Sequence, residues 1–120
     1  MLRSTFPNLV IILLALSLSS CASTGFNDSA ASSETVWIDV RTVEEYRQDH
    51  IEGDMNVPLQ AMSAASLSSL NIDSDADIRL YCGSGVRAGQ AQAIFEQAGF
   101  SNVSNAGGIS NVREARKINQ

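Results

Sequence analysis

Cys82-Gly83-Ser84-Gly85-Val86-Arg87 places a sulfur nucleophile, two glycines and a guanidinium in one short run, after the β-prone stretch Ile78-Arg79-Leu80-Tyr81. The segment that follows is helical in pattern. A cysteine at a strand end, a glycine-rich turn and a helix start together form a cradle for an anion. Backbone N–H groups of the turn point inward, and the first helical turn adds unpaired donors and the positive end of its dipole. Those fields also favour thiolate over thiol. A lone cysteine is commonly a small buried hydrophobe. Here the glycines and Arg87 point to chemistry, and sulfur transfer and phosphoryl transfer are the reactions that such a cradle serves.

The elements that position this run alternate between strands and helices. Thr35-Val36-Trp37-Ile38-Asp39-Val40 is β-rich and largely apolar, as in a strand covered on both faces. Thr42 is placed to cap a short helix from Val43 to Arg47, with Glu45 completing a capping box. Pro58 keeps Val57 extended and predicts a strand over Met55 to Val57. Leu59 to Leu70 has apolar residues at mixed helical spacing, interrupted by serines, and reads as a weak helix. Asp73-Ser74-Asp75-Ala76-Asp77 is a polar turn without the later glycine and glutamate of a calcium loop. In the helix from Arg87 to Ala98, Ala91, Ile94, Phe95 and Ala98 form the apolar stripe, Gly99 supplies a left-handed stop and Phe100 a hydrophobic clamp. Val103 falls in a last short strand, and Asn105-Ala106-Gly107-Gly108 turns into a terminal helix. The result is an α/β fold with a central, mainly parallel sheet flanked by helices. Trp37 is expected in the core.

The ends of the chain carry a different message. Met1-Leu2-Arg3 and the apolar run Leu9 to Leu18 make a secretion signal over residues 1–20 that is too short for a comfortable membrane span. It ends in Leu18-Ser19-Ser20-Cys21, which resembles the lipobox of bacterial lipoproteins; the alternative is ordinary cleavage near Ala22. Lipid on Cys21 would add about 0.8 kcal/mol of membrane affinity per buried methylene. By the same resemblance, Ala22 after the cysteine implies sorting to an outer membrane, facing the periplasm. Residues 21–33 are small and polar and read as a tether. From Glu34 to residue 120 fewer than ninety residues remain, enough for one small domain. Loss of Arg3 with the signal moves the formal charge from −5 to −6, and nucleic acid is excluded as a natural partner. With Cys21 lipidated, Cys82 has no disulfide partner among the cysteines of the chain.

Several motifs then coincide in order. Trp37-Ile38-Asp39-Val40-Arg41 with Glu44-Glu45-Tyr46, His50-Ile51-Glu52-Gly53 with Asn56-Val57-Pro58, the Cys82 to Arg87 run, and Asn105-Ala106-Gly107-Gly108 resemble the rhodanese domain family. The resemblance covers Glu34 to Val112 and looks nearest to small, exported, single-domain thiosulfate sulfurtransferases. Asp49, Asp54 and Ala88 depart from the family's usual residues. The resemblance implies that Cys82 takes the outer sulfur of thiosulfate as a persulfide, releases sulfite, and passes the sulfur to a thiophilic acceptor, cyanide in the laboratory or a thiol in the cell. Gly83, Ser84, Gly85 and Val86 would bind substrate with backbone donors, and Arg87 would take the sulfonate bidentately. No metal or cofactor is needed.

Asp39 and Arg41 lie at a strand end near the family's site. Substrate positioning is one reading; the favoured one has Asp39 satisfying backbone donors and Arg41 pairing with a carboxylate such as Glu45. His50 is read as structural, because an ionised thiol needs no general base to attack sulfane sulfur. A phosphatase or arsenate reductase would use five residues between cysteine and arginine, whereas this chain has four. A catalytically silent module for partner binding or redox sensing is the other alternative.

Overall fold

The computed structural model describes residues 34–119. The signal over 1–20, Cys21 and the tether over 21–33 lie outside the described residues. Four strands, β1 (Val36–Asp39), β2 (Met55–Asn56), β3 (Ile78–Cys82) and β4 (Val103–Gly108), form one sheet in the order β2-β1-β3-β4, with every pair parallel. The helices are α1 (Val43–Gln48), α2 (Ala64–Ser68), α3 (Val86–Gln97) and α4 (Ile109–Arg116). Parallel strands need crossovers, and the intervening helices leave a core on each face of the sheet.

Alternation along β3 divides the two cores. Ile78, Leu80 and Cys82 point to one face, where Ile38, Val40, Leu67 of α2, Ala88, Ala91 and Phe95 of α3, and Phe100 pack. Tyr81 points to the other, with Ile51 and with Ile109 and Val112 of α4. The helix stripe read from the sequence is therefore the face of α3 that covers the sheet. Gly99 takes φ +100°, as a left-handed stop requires. Phe100 then donates its N–H to the Phe95 carbonyl at 3.2 Å and tilts its ring 5.2 Å from that of Phe95.

Three expectations change. The helix expected over Leu59 to Leu70 is split into a 3-10 turn (Leu59–Ala61) and α2, because Met62 is extended and Ser63 starts a new helix. The Ser63 hydroxyl accepts the Ser66 N–H at 3.0 Å while the Ser66 hydroxyl accepts the Ser63 N–H at 2.8 Å. Serine hydroxyls compete for backbone partners, which interrupts a helix with weak apolar support. Second, Asn105 to Gly108 is strand and not turn: Leu80 pairs with Asn105 and Cys82 with Gly108, so β4 holds one extra residue there. Gly107, at φ +89°, absorbs it. Third, Trp37 is only partly buried; its ring lies 6.5 Å from Tyr81, with the Arg116 guanidinium 4.5 Å from its centroid.

Asp54 ties these elements together beneath the sheet. Its Oδ2 accepts the Tyr81 hydroxyl and Arg116 Nη1, each at 2.7 Å, and its carbonyl accepts the Tyr46 hydroxyl at 2.8 Å. Burial, reinforced by the Asp54 carboxylate, pushes the Tyr81 phenol far above its usual range. Replacing Asp54 by alanine strands that buried hydroxyl. Asp54→Ala is expected to lose about 1–3 kcal/mol of stability in denaturant unfolding, and Tyr81→Phe in the same chain to recover part of it.

Candidate functional site

β3 ends in the buried core at Cys82, and the chain turns through Gly83-Ser84-Gly85 into α3. Gly85 is the N-cap at φ +93°, a conformation that resists any side chain. The sharp reversal aims the start of α3 back at the sulfur. Gly85 N–H donates to Cys82 Sγ at 3.0 Å. The amides of Ala88, Ser84 and Arg87, around the same turn, add to the field at the sulfur. Burial alone would push the thiol up, but these donors outweigh it and hold the Cys82 thiol below its ordinary value. The result is a sulfur suited to negative charge in a largely dry setting.

The cradle works only because β4 comes unusually close. A Cβ on Gly108 would lie 2.5 Å from the Gly83 carbonyl oxygen, and one on Gly85 would lie 3.2 Å from Gly107 Cα. Asn105 bridges the two segments: its Nδ2 donates to the Gly85 carbonyl at 2.8 Å and its Oδ1 accepts the Gly107 N–H at 2.9 Å. The sequence reading gave Asn105 no part in the site. Its signals are its place in the Asn105-Ala106-Gly107-Gly108 motif and the Asn-x-Gly spacing, where an amide side chain reaches the backbone two residues on.

Arg87 lies over the loop, with Nη2 3.2 Å from where a Gly83 Cβ would stand. Its fork is engaged by Glu45: Nη1 donates to Oε2 at 2.7 Å and Nη2 to Oε1 at 3.0 Å. Hydrogen bonds from Arg87, then from the Thr42 backbone, hold the Glu45 carboxyl down at about 2. Arg41 does pair with a carboxylate, as the sequence reading expects, but the partner is not the Glu45 offered as its example. It pairs with Asp39 through Nε at 3.0 Å and Nη2 at 2.8 Å, both side chains being buried, and Nη2 also donates to the Asp49 carbonyl at 2.6 Å. The Asp39 hydrogen bond raises the Arg41 pKa further. Asp39 takes one backbone donor as expected, the Arg41 N–H, at 2.9 Å. His50 stacks on Tyr46 at 4.2 Å, its Nδ1 2.9 Å from the Tyr46 carbonyl oxygen, in keeping with a structural role.

Two open clefts, of about 410 and 530 Å³, lie elsewhere on the surface. Neither is lined by Cys82 or Arg87, so convergent donors and not cavity size mark the site. What the arrangement can do is hold an oxyanion beside a thiolate.

Comparison with known proteins agrees. Residues 25–115 match the rhodanese-like domain family. The chain belongs to that family. The thiosulfate sulfurtransferase PspE of Escherichia coli is 36% identical over 76 residues, covering 63% of this chain and 72% of that protein. The thiosulfate:glutathione sulfurtransferase of Saccharomyces cerevisiae is 35% identical over 79 residues, covering 58% of this chain and 57% of that protein. A solved structure of an Escherichia coli rhodanese with anions superposes with a TM-score of 0.58 at 35% identity, covering 64% of this chain and 89% of that one. The four-stranded parallel sheet is that of the family, and the reading as a sulfurtransferase stands with these relatives.

The rhodanese-like loop makes a direct prediction about the sulfur. The rate of Cys82 alkylation by iodoacetamide, followed by mass against pH, should inflect below the value of an ordinary thiol, since burial is outweighed by backbone donors. Gly85→Ala strains the turn and should move that inflection upward. An ordinary inflection in the unaltered chain would mean that the donors do not reach the sulfur.

Proposed function

We propose that the protein is a thiosulfate sulfurtransferase working by double displacement through a persulfide on Cys82. The observation that carries this is the Gly85 N–H donated to Cys82 Sγ at 3.0 Å where β3 turns into α3, with the neighbouring loop amides helping to hold the thiol below its ordinary value. The Cys82 thiolate attacks the outer sulfur of thiosulfate, the S–S bond breaks, and its electron pair leaves with sulfite. The new persulfide carries a terminal sulfur in place of the thiolate, and the same N–H groups stabilise its charge. An acceptor thiolate then attacks that terminal sulfur, gains it, and returns the electron pair to Cys82. No oxidant, reductant, metal or cofactor enters this balance.

Support comes from several sides. Two relatives are named as thiosulfate sulfurtransferases, and the yeast one transfers to glutathione by name, which favours a small thiol as acceptor. The related Escherichia coli structure is described with anions, as an oxyanion cradle would lead one to expect. The four-residue spacing between Cys82 and Arg87 makes a ring tighter than the five-residue cradle of a phosphatase or arsenate reductase. Gly83, Ser84, Gly85 and Val86 line the substrate end in this reading, and Arg87 meets the sulfonate.

Thiosulfate should add one sulfur atom to the protein mass, and cyanide or a thiol should remove it. Steady-state kinetics should be ping-pong, because sulfite departs before the acceptor reacts. Cys82→Ser should fold and lose turnover by about a thousandfold or more, since its hydroxyl stays protonated. Phosphate-ester cleavage without added mass would favour the rival, and neither activity would favour a silent module.

The proposal extends to the place of work. Leu18-Ser19-Ser20-Cys21 supports a lipid on Cys21, an outer-membrane anchor in a bacterial cell envelope, and a domain held in the periplasm by the tether over 21–33. Cys21→Ala should leave the membrane fraction or remain an unprocessed precursor. Wild-type protein that is wholly soluble, with no lipid mass on Cys21, would remove the anchor.

A further inference from the structure

Glu45 reaches the site only through Arg87. Its carboxylate engages one N–H from each terminal nitrogen, at 2.7 and 3.0 Å. A guanidinium has five N–H donors in a fixed plane, so three remain for other partners. Nη2 lies against Gly83, and the Cys82 sulfur contributes to raising the Arg87 pKa after the dominant effect of Glu45.

Glu45 is itself held on both sides. Its Oε2 accepts the Thr42 N–H at 2.9 Å while its own N–H donates to Thr42 Oγ1 at 3.2 Å. The far end of α1 is tied down by Arg41, which donates to the Asp49 carbonyl from within the buried Asp39 pair. A long arginine side chain loses much rotamer freedom when it grips a ligand, and a partner that fixes it beforehand removes that loss from the binding step.

We propose that Glu45 is a positioning residue for sulfur transfer: it takes two of the five donors of Arg87, holds the guanidinium across Gly83, and leaves the other donors for the sulfonate of the incoming substrate. This rests on the sulfurtransferase reading of the same site. The opposing arrangement has Glu45 as a plug that the substrate must displace. The two differ in sign, because a plug slows substrate capture and a positioner speeds it.

The test compares Glu45→Ala, Glu45→Gln, Thr42→Ala and Arg87→Ala. One readout is kcat/KM for thiosulfate; the other is protection of Cys82 from iodoacetamide by sulfate, an unreactive oxyanion, which needs no turnover. Glu45→Ala should lose roughly ten- to a hundredfold in kcat/KM, mostly through KM, and sulfate protection should weaken in parallel. Glu45→Gln keeps the side-chain volume and one acceptor oxygen, so it should lose less. Thr42→Ala removes the hydroxyl cap but keeps the Thr42 N–H that Glu45 accepts and the Arg87 pair, so it should lose clearly less than Glu45→Ala. In an Arg87→Ala background, removing Glu45 should add no further loss beyond about twofold.

Unchanged or improved capture in Glu45→Ala would overturn the proposal in favour of the plug. A loss in Thr42→Ala equal to that in Glu45→Ala would overturn it in favour of a purely structural cap. If the wild type turns over no thiosulfate yet sulfate protection still depends on Glu45, the sulfurtransferase reading fails and the positioning role stands. If turnover is normal and neither readout moves, the positioning role fails alone.

Discussion

A sulfur that carries negative charge inside a protein needs fixed donors, because burial by itself drives it back to the neutral thiol. Every other feature around Cys82 follows from that constraint. The donors must be backbone N–H groups, so β3 has to run directly into a helix whose first turn faces back along the strand. That reversal fits within three residues only with Gly85 at φ +93°. The neighbouring strand must then pass so close that Gly108 has no room for a side chain against the Gly83 carbonyl. The extra residue in β4 is what brings its glycines alongside the loop.

The ionic groups fall into two systems with different tasks. Asp39 and Arg41 are buried together at the end of β1, where attraction between them is offset by the desolvation of both. Its reach to the Asp49 carbonyl fixes the end of α1, a six-residue helix with no buried side chain of its own. So short a helix does not persist on propensity alone. Glu45 and Arg87 are partly exposed, at 38% and 30% for their side chains, and water weakens the attraction between them. The outer pair adds geometry to the cradle and the inner pair keeps that geometry in place.

Much of this was legible in the sequence because the signals were local. The strand, glycine turn and helix around Cys82, the Thr42 and Glu45 capping box, and the Gly99 stop each depend on neighbours a few residues away. The choice of partner for a long charged side chain is different in kind. Glu45 is the example that the sequence reading offers of a carboxylate for Arg41, but it stands 42 positions before Arg87 and meets it only when β1 and β3 pair in parallel. The bulge in β4 was also invisible, because Asn-Ala-Gly-Gly has a turn composition and only register against β3 makes it a strand. The serine-rich span after Pro58 misled for a related reason: hydroxyl competition for backbone partners splits a helix that apolar spacing alone would continue.

Asp49 and Asp54, the two aspartates that the sequence resemblance singles out, acquire a purpose in the folded chain. Both grip arginines of α4. Asp49 takes Arg113 at 2.9 and 2.7 Å, and Asp54 takes Arg116 at 2.7 Å while also anchoring Tyr81. Helix α4 begins directly after Gly108, whose N–H is accepted by the Asn111 side chain at 3.1 Å. The position of α4 therefore bears on how closely Gly108 approaches Gly83, and through Gly83 on the loop that surrounds the sulfur. Asp49 also lends its carbonyl to Arg41. One aspartate thus joins the terminal helix to the buried pair at the end of β1, and its neighbour joins that helix to Tyr81, the residue that precedes Cys82. Acidic side chains that would repel an anionic substrate at the cradle are placed here on arginines behind it, where they brace the backbone that attracts the anion.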